Sequence, residues 1–247
     1  DHGNFGLGFA QGDAIGKVAQ KFPDMGFAII DVDQAFVPGK PANVQGLLFR
    51  EEEVGYLAGY LAGLEEERRE GKDVISAVGG VKVPPVDRFI ARYFAGAEKA
   101  APGITLIHDY SQDWDDQAKC KELALNQIAA GSKVVFQVAG GCGLGALLAA
   151  KQQKVWGVGV DGDQSFLGPH VLTSALKGVD SAVFLTAKAV QDGTFTGGGN
   201  ATFGLDQDGV GLGTFSPNAD EADIEATREI EQQIADGEIT DIPTSLG

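Results

Sequence analysis

The chain has 247 residues, enough for one large domain or two lobes of roughly 100–150 residues each. Its formal charge of −16 excludes a nucleic-acid partner, because phosphate binding needs clustered Lys and Arg, and it disfavours docking on anionic lipid. No apolar run reaches the roughly 18 residues that a membrane-spanning helix needs.

Helical and strand signals alternate from end to end, the mark of βαβ units and a parallel sheet. Residues 1–9 open without a preceding strand and helix, as in the middle of an α/β unit. Residues 12–21 read as a helix stopped by Pro23, and 26–31 as a strand that ends on Asp31. A Pro- and Gly-bearing loop (37–43) leads to a short strand at 46–50. The run 51–67 places Val54, Leu57, Ala58, Leu61 and Leu64 at helical spacing. A strand at 73–78, a loop closed by two prolines, and a helix at 86–101 follow, then a strand at 104–109. The next helix, 115–130, has an acidic first turn that suits its dipole.

The strand at 133–139 enters a glycine loop (140–145) and a helix at 146–153. Two further strands come next, KVWGVGVD ending on Asp161 and VLTSALK (171–177) ending on Lys177. A helix at 180–192 is followed by a glycine-rich return crossing at 197–213. The last helix, 220–236, buries Ile224, Ile230 and Ile234. No internal repeat is visible.

Cys120, on a predicted helix, and Cys142, in the glycine loop, are too few for a disulfide scaffold and carry no metal spacing, and their pairing is left open. His2, His108 and His170 are scattered. Neither a metal site nor a cofactor is expected.

Ligands of open parallel sheets sit beyond the carboxyl ends of the strands. Asp161 stands there, and a carboxylate offers two acceptor oxygens to the paired hydroxyls of a sugar. Asp31 holds the same position on its own strand, where capping a turn is the competing role. Lys177 requires a carboxylate partner, a ligand or a surface position. Phe136 is either core packing or a flat surface for a base, and Phe9 with Asp13 lies in a segment that can reach a pocket edge. Gly140 and Gly141 open a loop whose G-C-G-L-G-A pattern (141–146), with Asp161 twenty residues on, also satisfies the dinucleotide fingerprint. That pattern keeps an NAD-dependent oxidoreductase in view beside a generic ligand loop and purely structural glycines. No Ser–His–Asp order, H-E-x-x-H or P-loop pattern is present.

The blocks GLGFAQGDAIGKVAQKFPDMGFAIID (6–31), FREEEVGYLAGYLAG (49–63), VPPVDRFIARYFAGAE (83–98), VVFQVAGGCGLGALLAAK (134–151), GVGVDGDQ (157–164) and VLTSALKGVDSAV (171–183) together resemble the basic membrane protein family of ABC-transporter substrate-binding lipoproteins, the family of purine nucleoside receptor A. The resemblance implies a type I periplasmic-binding fold of two α/β lobes joined by hinge crossings. Residues 1–72 and 176–203 would form lobe 1, and 73–175 with 204–247 lobe 2. It also implies a monomeric receptor, not an enzyme, that captures a purine nucleoside between its lobes and delivers it to ABC permease subunits. A sugar or polyol is the alternative ligand. The setting would be the bacterial cell surface or periplasm, with membrane association only through a lipid anchor outside this sequence. Asp161 would bind the ribose and Phe136 would stack on the base, with Asp31 and Lys177 completing the polar lining. Two departures stand out. The family's opening V-T-D strand and Asp-x-Ser-Phe-Asn segment have no counterpart, so about one βαβα portion of lobe 1 is expected to be missing from this sequence. Cys142 also stands where the family usually has threonine.

Overall fold

A computed structural model of the chain describes residues 4–71 and 73–240. Its elements are β1 (Asn4–Leu7), α1 (Gly12–Lys21), β2 (Phe27–Ile30), β3 (Val44–Phe49), α2 (Glu51–Glu67), β4 (Val74–Gly79) and α3 (Pro84–Ala100). They continue with β5 (Thr105–Tyr110), α4 (Gln117–Ala129), β6 (Val134–Val138), α5 (Gly143–Gln153), β7 (Trp156–Asp161) and β8 (Val171–Lys177). The rest are α6 (Val179–Gln191), β9 (Gly199–Phe203), β10 (Val210–Leu212) and α7 (Glu221–Ala235).

The chain divides into two compact units. Unit 1 comprises the residues up to Arg50 together with Gly178–Val210, and unit 2 comprises Glu51–Lys177 with the residues from Gly211 on. The chain therefore passes between units three times, at Arg50–Glu51, Lys177–Gly178 and Val210–Gly211. These limits differ from the expected lobe limits chiefly in α2, which falls in unit 2. The reason is close packing along α3: a Cβ on Gly59 would run into the Tyr93 carbonyl, and one on Gly96 into that of Tyr56.

Unit 1 is built on a sheet of order β1-β2-β3-β9, with parallel pairing throughout. β1 lies where no strand was expected. Its pairing with β2 supplies the ladder that four residues cannot supply alone. β9 likewise turns part of the glycine-rich crossing into a strand on β3.

Unit 2 carries the sheet β10-β8-β7-β6-β4-β5, whose β5-β4-β6-β7-β8 pairings are parallel. Every residue of β4 and of β6 is buried, as a parallel sheet covered on both faces requires. Helix starts follow local chemistry. The Asp116 side chain accepts from the Ala118 and Lys119 N–H groups to cap α4, and Asp220 accepts from Ala222 to cap α7. Pro84 and Pro85 open α3, where the missing N–H costs nothing. Cys120 and Cys142, whose pairing the sequence left open, form a disulfide that ties α4 to the glycine loop.

Candidate functional site

The two strand-end aspartates are local twins. Asp31 follows β2 and Asp161 ends β7, and both have left-handed backbones, with φ of 63° and 65°. Aspartate tolerates this region better than most side chains. The chain then repeats itself: Asp31-Val-Asp-Gln-Ala-Phe36 in unit 1 matches Asp161-Gly-Asp-Gln-Ser-Phe166 in unit 2. This corrects the expectation of no internal repeat. Six residues with four identities are too few to stand out until both copies are seen to leave their strand through a left-handed aspartate and to run into a 3-10 turn.

The two loops have similar supports. The Ala35 N–H donates to Asp33 Oδ1 at 2.8 Å, capping a 3-10 turn over Gln34–Phe36. The Ser165 N–H donates to Asp163 Oδ1 at 3.0 Å, where the 3-10 turn starts one residue later, over Ser165–Leu167. The Gln34 N–H donates to Asn200 Oδ1 on β9 at 2.8 Å, and the Gln164 N–H to Ser174 Oγ on β8 at 3.0 Å. The Asn200 side chain and the Ala35 N–H hold the Asp33 carboxyl below its ordinary range. Burial pushes Asp163 up, but hydrogen bonds from Thr214 and Ser165 outweigh it and leave that carboxyl low as well. Both therefore stay ionised at neutral pH.

In unit 2 the segments that follow β4 and β6 meet a half-buried indole, that of Trp114. It lies against Gly80, just beyond β4, and against Gly140, just beyond β6, where any Cβ would crowd or meet the ring. Its backbone carbonyl accepts from the Cys142 N–H at 2.8 Å. With the disulfide, this hydrogen bond holds the glycine loop on the segment before α4. Gly140 (φ 57°) and Gly141 are exposed at this end of the sheet. The sequence reading missed Trp114. The signal available was an aromatic in the loop after a strand, directly before an acidic helix start.

Phe136 is placed elsewhere than expected. It is fully buried on β6, its ring 4.9 Å from Tyr93 and edge-on to Phe89 at 6.2 Å, so it belongs to the core beneath α3 and presents no face to a ligand. Strand alternation with both sheet faces covered leaves it no other place. Lys177 Nζ lies 3.2 Å from Glu51 Oε1, and Glu51 Oε2 also accepts from Arg88 Nε at 2.8 Å. The carboxylate is fully buried. Glu51 and Lys177 each border a crossing between units. The Phe9 side chain lies outside what the structure describes, although its backbone forms a 3-10 turn before α1, and Asp13 is exposed in the first turn of α1.

Gln137 and Gln164 are further additions to the sequence reading. The Gln137 amide donates to Gln164 Oε1 at 2.7 Å and so braces the Asp161 loop against β6. The glycines of the fingerprint also acquire a reason. A Cβ on Gly143 would strike the Gln137 side chain, and one on Gly145 the Gln117 backbone. Close packing of α5 explains them without a phosphate. Among the described residues no His, Cys, Asp and Glu cluster is suited to a metal ion.

The model of the PnrA-like ABC transporter substrate-binding proteins matches residues 5–242. The chain belongs to that family. The nucleoside-binding protein BmpA of Lactococcus lactis is 33% identical over 96% of this chain and 70% of its own length. Basic membrane protein D of Borreliella burgdorferi is 35% identical over 84% of this chain and 61% of its own. Among solved structures, an ABC solute-binding protein of Aeropyrum pernix superposes with a TM-score of 0.82 at 24% identity, covering 96% of this chain and 76% of that one. One from Conexibacter woesei gives 0.74 at 22%, covering 98% and 80%. These structures support the periplasmic-binding-type α/β fold.

The protein is thus a substrate-binding component of an ABC importer, and its family consists of receptors rather than enzymes. It takes a solute and works with a permease outside the cytoplasm. An oxidising compartment suits its disulfide. Among the described residues no helix is long and apolar enough to cross a membrane.

Proposed function

We propose that the protein binds a purine nucleoside. The observation that carries the proposal is the grouping at the strand ends of unit 2: the exposed Asp161 carboxylate on β7, and the Trp114 indole beside the glycines that follow β4 and β6. A carboxylate accepts from the 2′- and 3′-hydroxyls of ribose, while an indole supplies a flat apolar face for a purine. Gly140 and Gly141 allow the solute to approach the backbone. In unit 1, Asp31 holds the corresponding position at the end of β2. The L. lactis relative, named a nucleoside-binding protein, supports the same reading.

In this reading Lys177 acts through its Glu51 ion pair, fixing the end of β8 rather than completing the lining alone. In the same reading the receptor works as a monomer held at the membrane by a lipid anchor. A relative in Pyrococcus horikoshii, 34% identical over 83% of this chain and 52% of its own length, is named a lipoprotein.

Calorimetric titration with inosine, guanosine, adenosine, ribose and NAD tests the proposal. A nucleoside should bind and stabilise the protein by about 2.7 kcal/mol at a hundredfold excess over Kd, with ribose far weaker and NAD inert. Binding of ribose in preference to every nucleoside would refute it.

A further inference from the structure

β6 and β7 part before β7 ends. Their pairing stops at Phe136 and Val158, although β7 runs on to Asp161. Two side-chain amides fill the opening. Gln164 Oε1 accepts from the Val160 N–H, a backbone donor beyond the last paired residue, at 3.2 Å. It also accepts from Gln137 Nε2 at 2.7 Å, and Gln137 is fully buried on β6. Gln137 Oε1 accepts in turn from the Ala139 N–H at 3.2 Å, while the Gln164 N–H donates to Ser174 Oγ on β8 at 3.0 Å. The two backbone donors assign both amide orientations. An oxygen faces each N–H, so Gln137 donates to Gln164 and not the reverse.

What these amides hold is a strained turn. Asp161 has a φ of 65°, and the Gly162 N–H donates to the Val160 carbonyl at 2.9 Å, closing a γ-turn centred on the aspartate. With positive φ this is the rare form of the turn. Such a conformation persists only where its surroundings over-determine it, and it gathers at ligand sites. Val160 is gripped on both sides, through its N–H by Gln164 and through its carbonyl by Gly162. The aim of the exposed Asp161 carboxylate therefore depends on a chain of amides that starts inside β6. All of these groups belong to unit 2.

We propose that Gln137 and Gln164 are positioning residues for solute selection: by fixing the Asp161 turn they let its carboxylate distinguish a ribonucleoside from a 2′-deoxyribonucleoside. This rests on the nucleoside reading above. A carboxylate that takes two neighbouring hydroxyls at once must have both oxygens aimed. A single hydroxyl can be met by a side chain that is loosely held. Loosening the turn thus removes the two-point contact of the ribonucleoside, and it costs the deoxynucleoside, which never makes that contact, much less.

The experiment is calorimetric titration of the wild type and three variants with inosine and 2′-deoxyinosine, with melting temperatures to establish that each variant is folded. The wild type should prefer inosine by about thirtyfold, the worth of one hydrogen bond to a charged group. Gln137→Met keeps the bulk on β6 but donates nothing. Gln164→Met, at a half-buried position that tolerates change better, removes the acceptor. Both should reduce the preference to about threefold, chiefly through weaker inosine binding. Gln164→Glu keeps an acceptor for Val160 and Gln137, and its preference should stay within about twofold of wild type. A parallel fall in both affinities, with their ratio unchanged in the methionine variants, overturns the proposal, because a merely structural brace would act that way. So does loss of the preference in Gln164→Glu, whose acceptor is intact. A wild type that binds the two nucleosides equally overturns it too, while leaving the nucleoside reading in place. A wild type that binds neither ends both.

Discussion

Units 1 and 2 carry two versions of a six-residue loop, identical at four positions, on sheets of different size and different backing. Unit 1 braces its copy with Asn200 from β9 and the Pro41 carbonyl. Unit 2 braces its copy with Ser174, Thr214 and the Gln137–Gln164 pair. Unit 2 also holds the disulfide, the Trp114 indole and the buried Glu51–Lys177 pair. The backbone conformation that places an aspartate at a strand end is therefore common to both units. The groups that shape a surface around it are concentrated in unit 2. Residues that look alike in sequence then divide into repeated framework and unit-specific chemistry.

That contrast is broken most severely through the core of unit 2. Phe136→Ala should cost about 3 to 5 kcal/mol in urea unfolding, because a fully buried ring leaves a cavity between Tyr93 and Phe89. Trp114→Ala should do the reverse, with a small loss of stability and roughly a tenfold loss of nucleoside affinity. A Phe136 variant that keeps its stability but loses affinity would return the stacking role to Phe136. The disulfide comes next. It closes a separation of 22 residues, so Cys120→Ser with Cys142→Ser should lower stability by about 3 kcal/mol. An unchanged denaturation midpoint would show that the glycine loop is held by its hydrogen bonds alone.

The twin aspartates sharpen the comparison. Asp161→Asn keeps a side chain that tolerates the left-handed backbone but removes the charge. Nucleoside affinity should fall about a hundredfold, with the melting temperature of the solute-free protein nearly unchanged. Asp31→Asn measured in parallel shows whether unit 1 contributes equally. If neither substitution moves Kd in titration calorimetry, both carboxylates serve only their turns.

A smaller effect lies in unit 2 away from the strand ends. Burial lifts the Glu66 carboxyl from its ordinary 4.5 to about 7, although a hydrogen bond from the Val74 N–H opposes the shift. A raised folded-state value means that the folded state binds the proton more tightly. This contribution is complete below about pH 4.5 and is lost as pH rises through 7. Glu66→Gln should abolish that dependence and stabilise the protein above pH 7 by roughly 1 to 2 kcal/mol, read from unfolding curves at pH 5 and 8. Equal slopes for the two proteins would show that Glu66 is already charged at pH 5.

Much of the candidate site was legible because strand ends are set by local pattern. Apolar runs that break at Asp31, Asp161 and Lys177 mark where the strands of a parallel sheet end, and their order carries the family resemblance. Which aromatic faces outward was not legible. Phe136 and Trp114 each adjoin a strand end in sequence. Only the packing of α3 over β6 buries one, and only the approach of Gly80 and Gly140 to the indole positions the other.

By itself the sequence determined the alternation of strands and helices, the strand-end carboxylates and membership of a receptor family, since each depends on residues close together in the chain. The tertiary structure decided that Lys177 pairs with Glu51, that Cys120 meets Cys142, and that two distant hexapeptides leave their strands through the same left-handed aspartate. Those outcomes depend on burial and on contacts between remote segments. A side chain's partner across the fold is chosen by geometry that no local pattern contains.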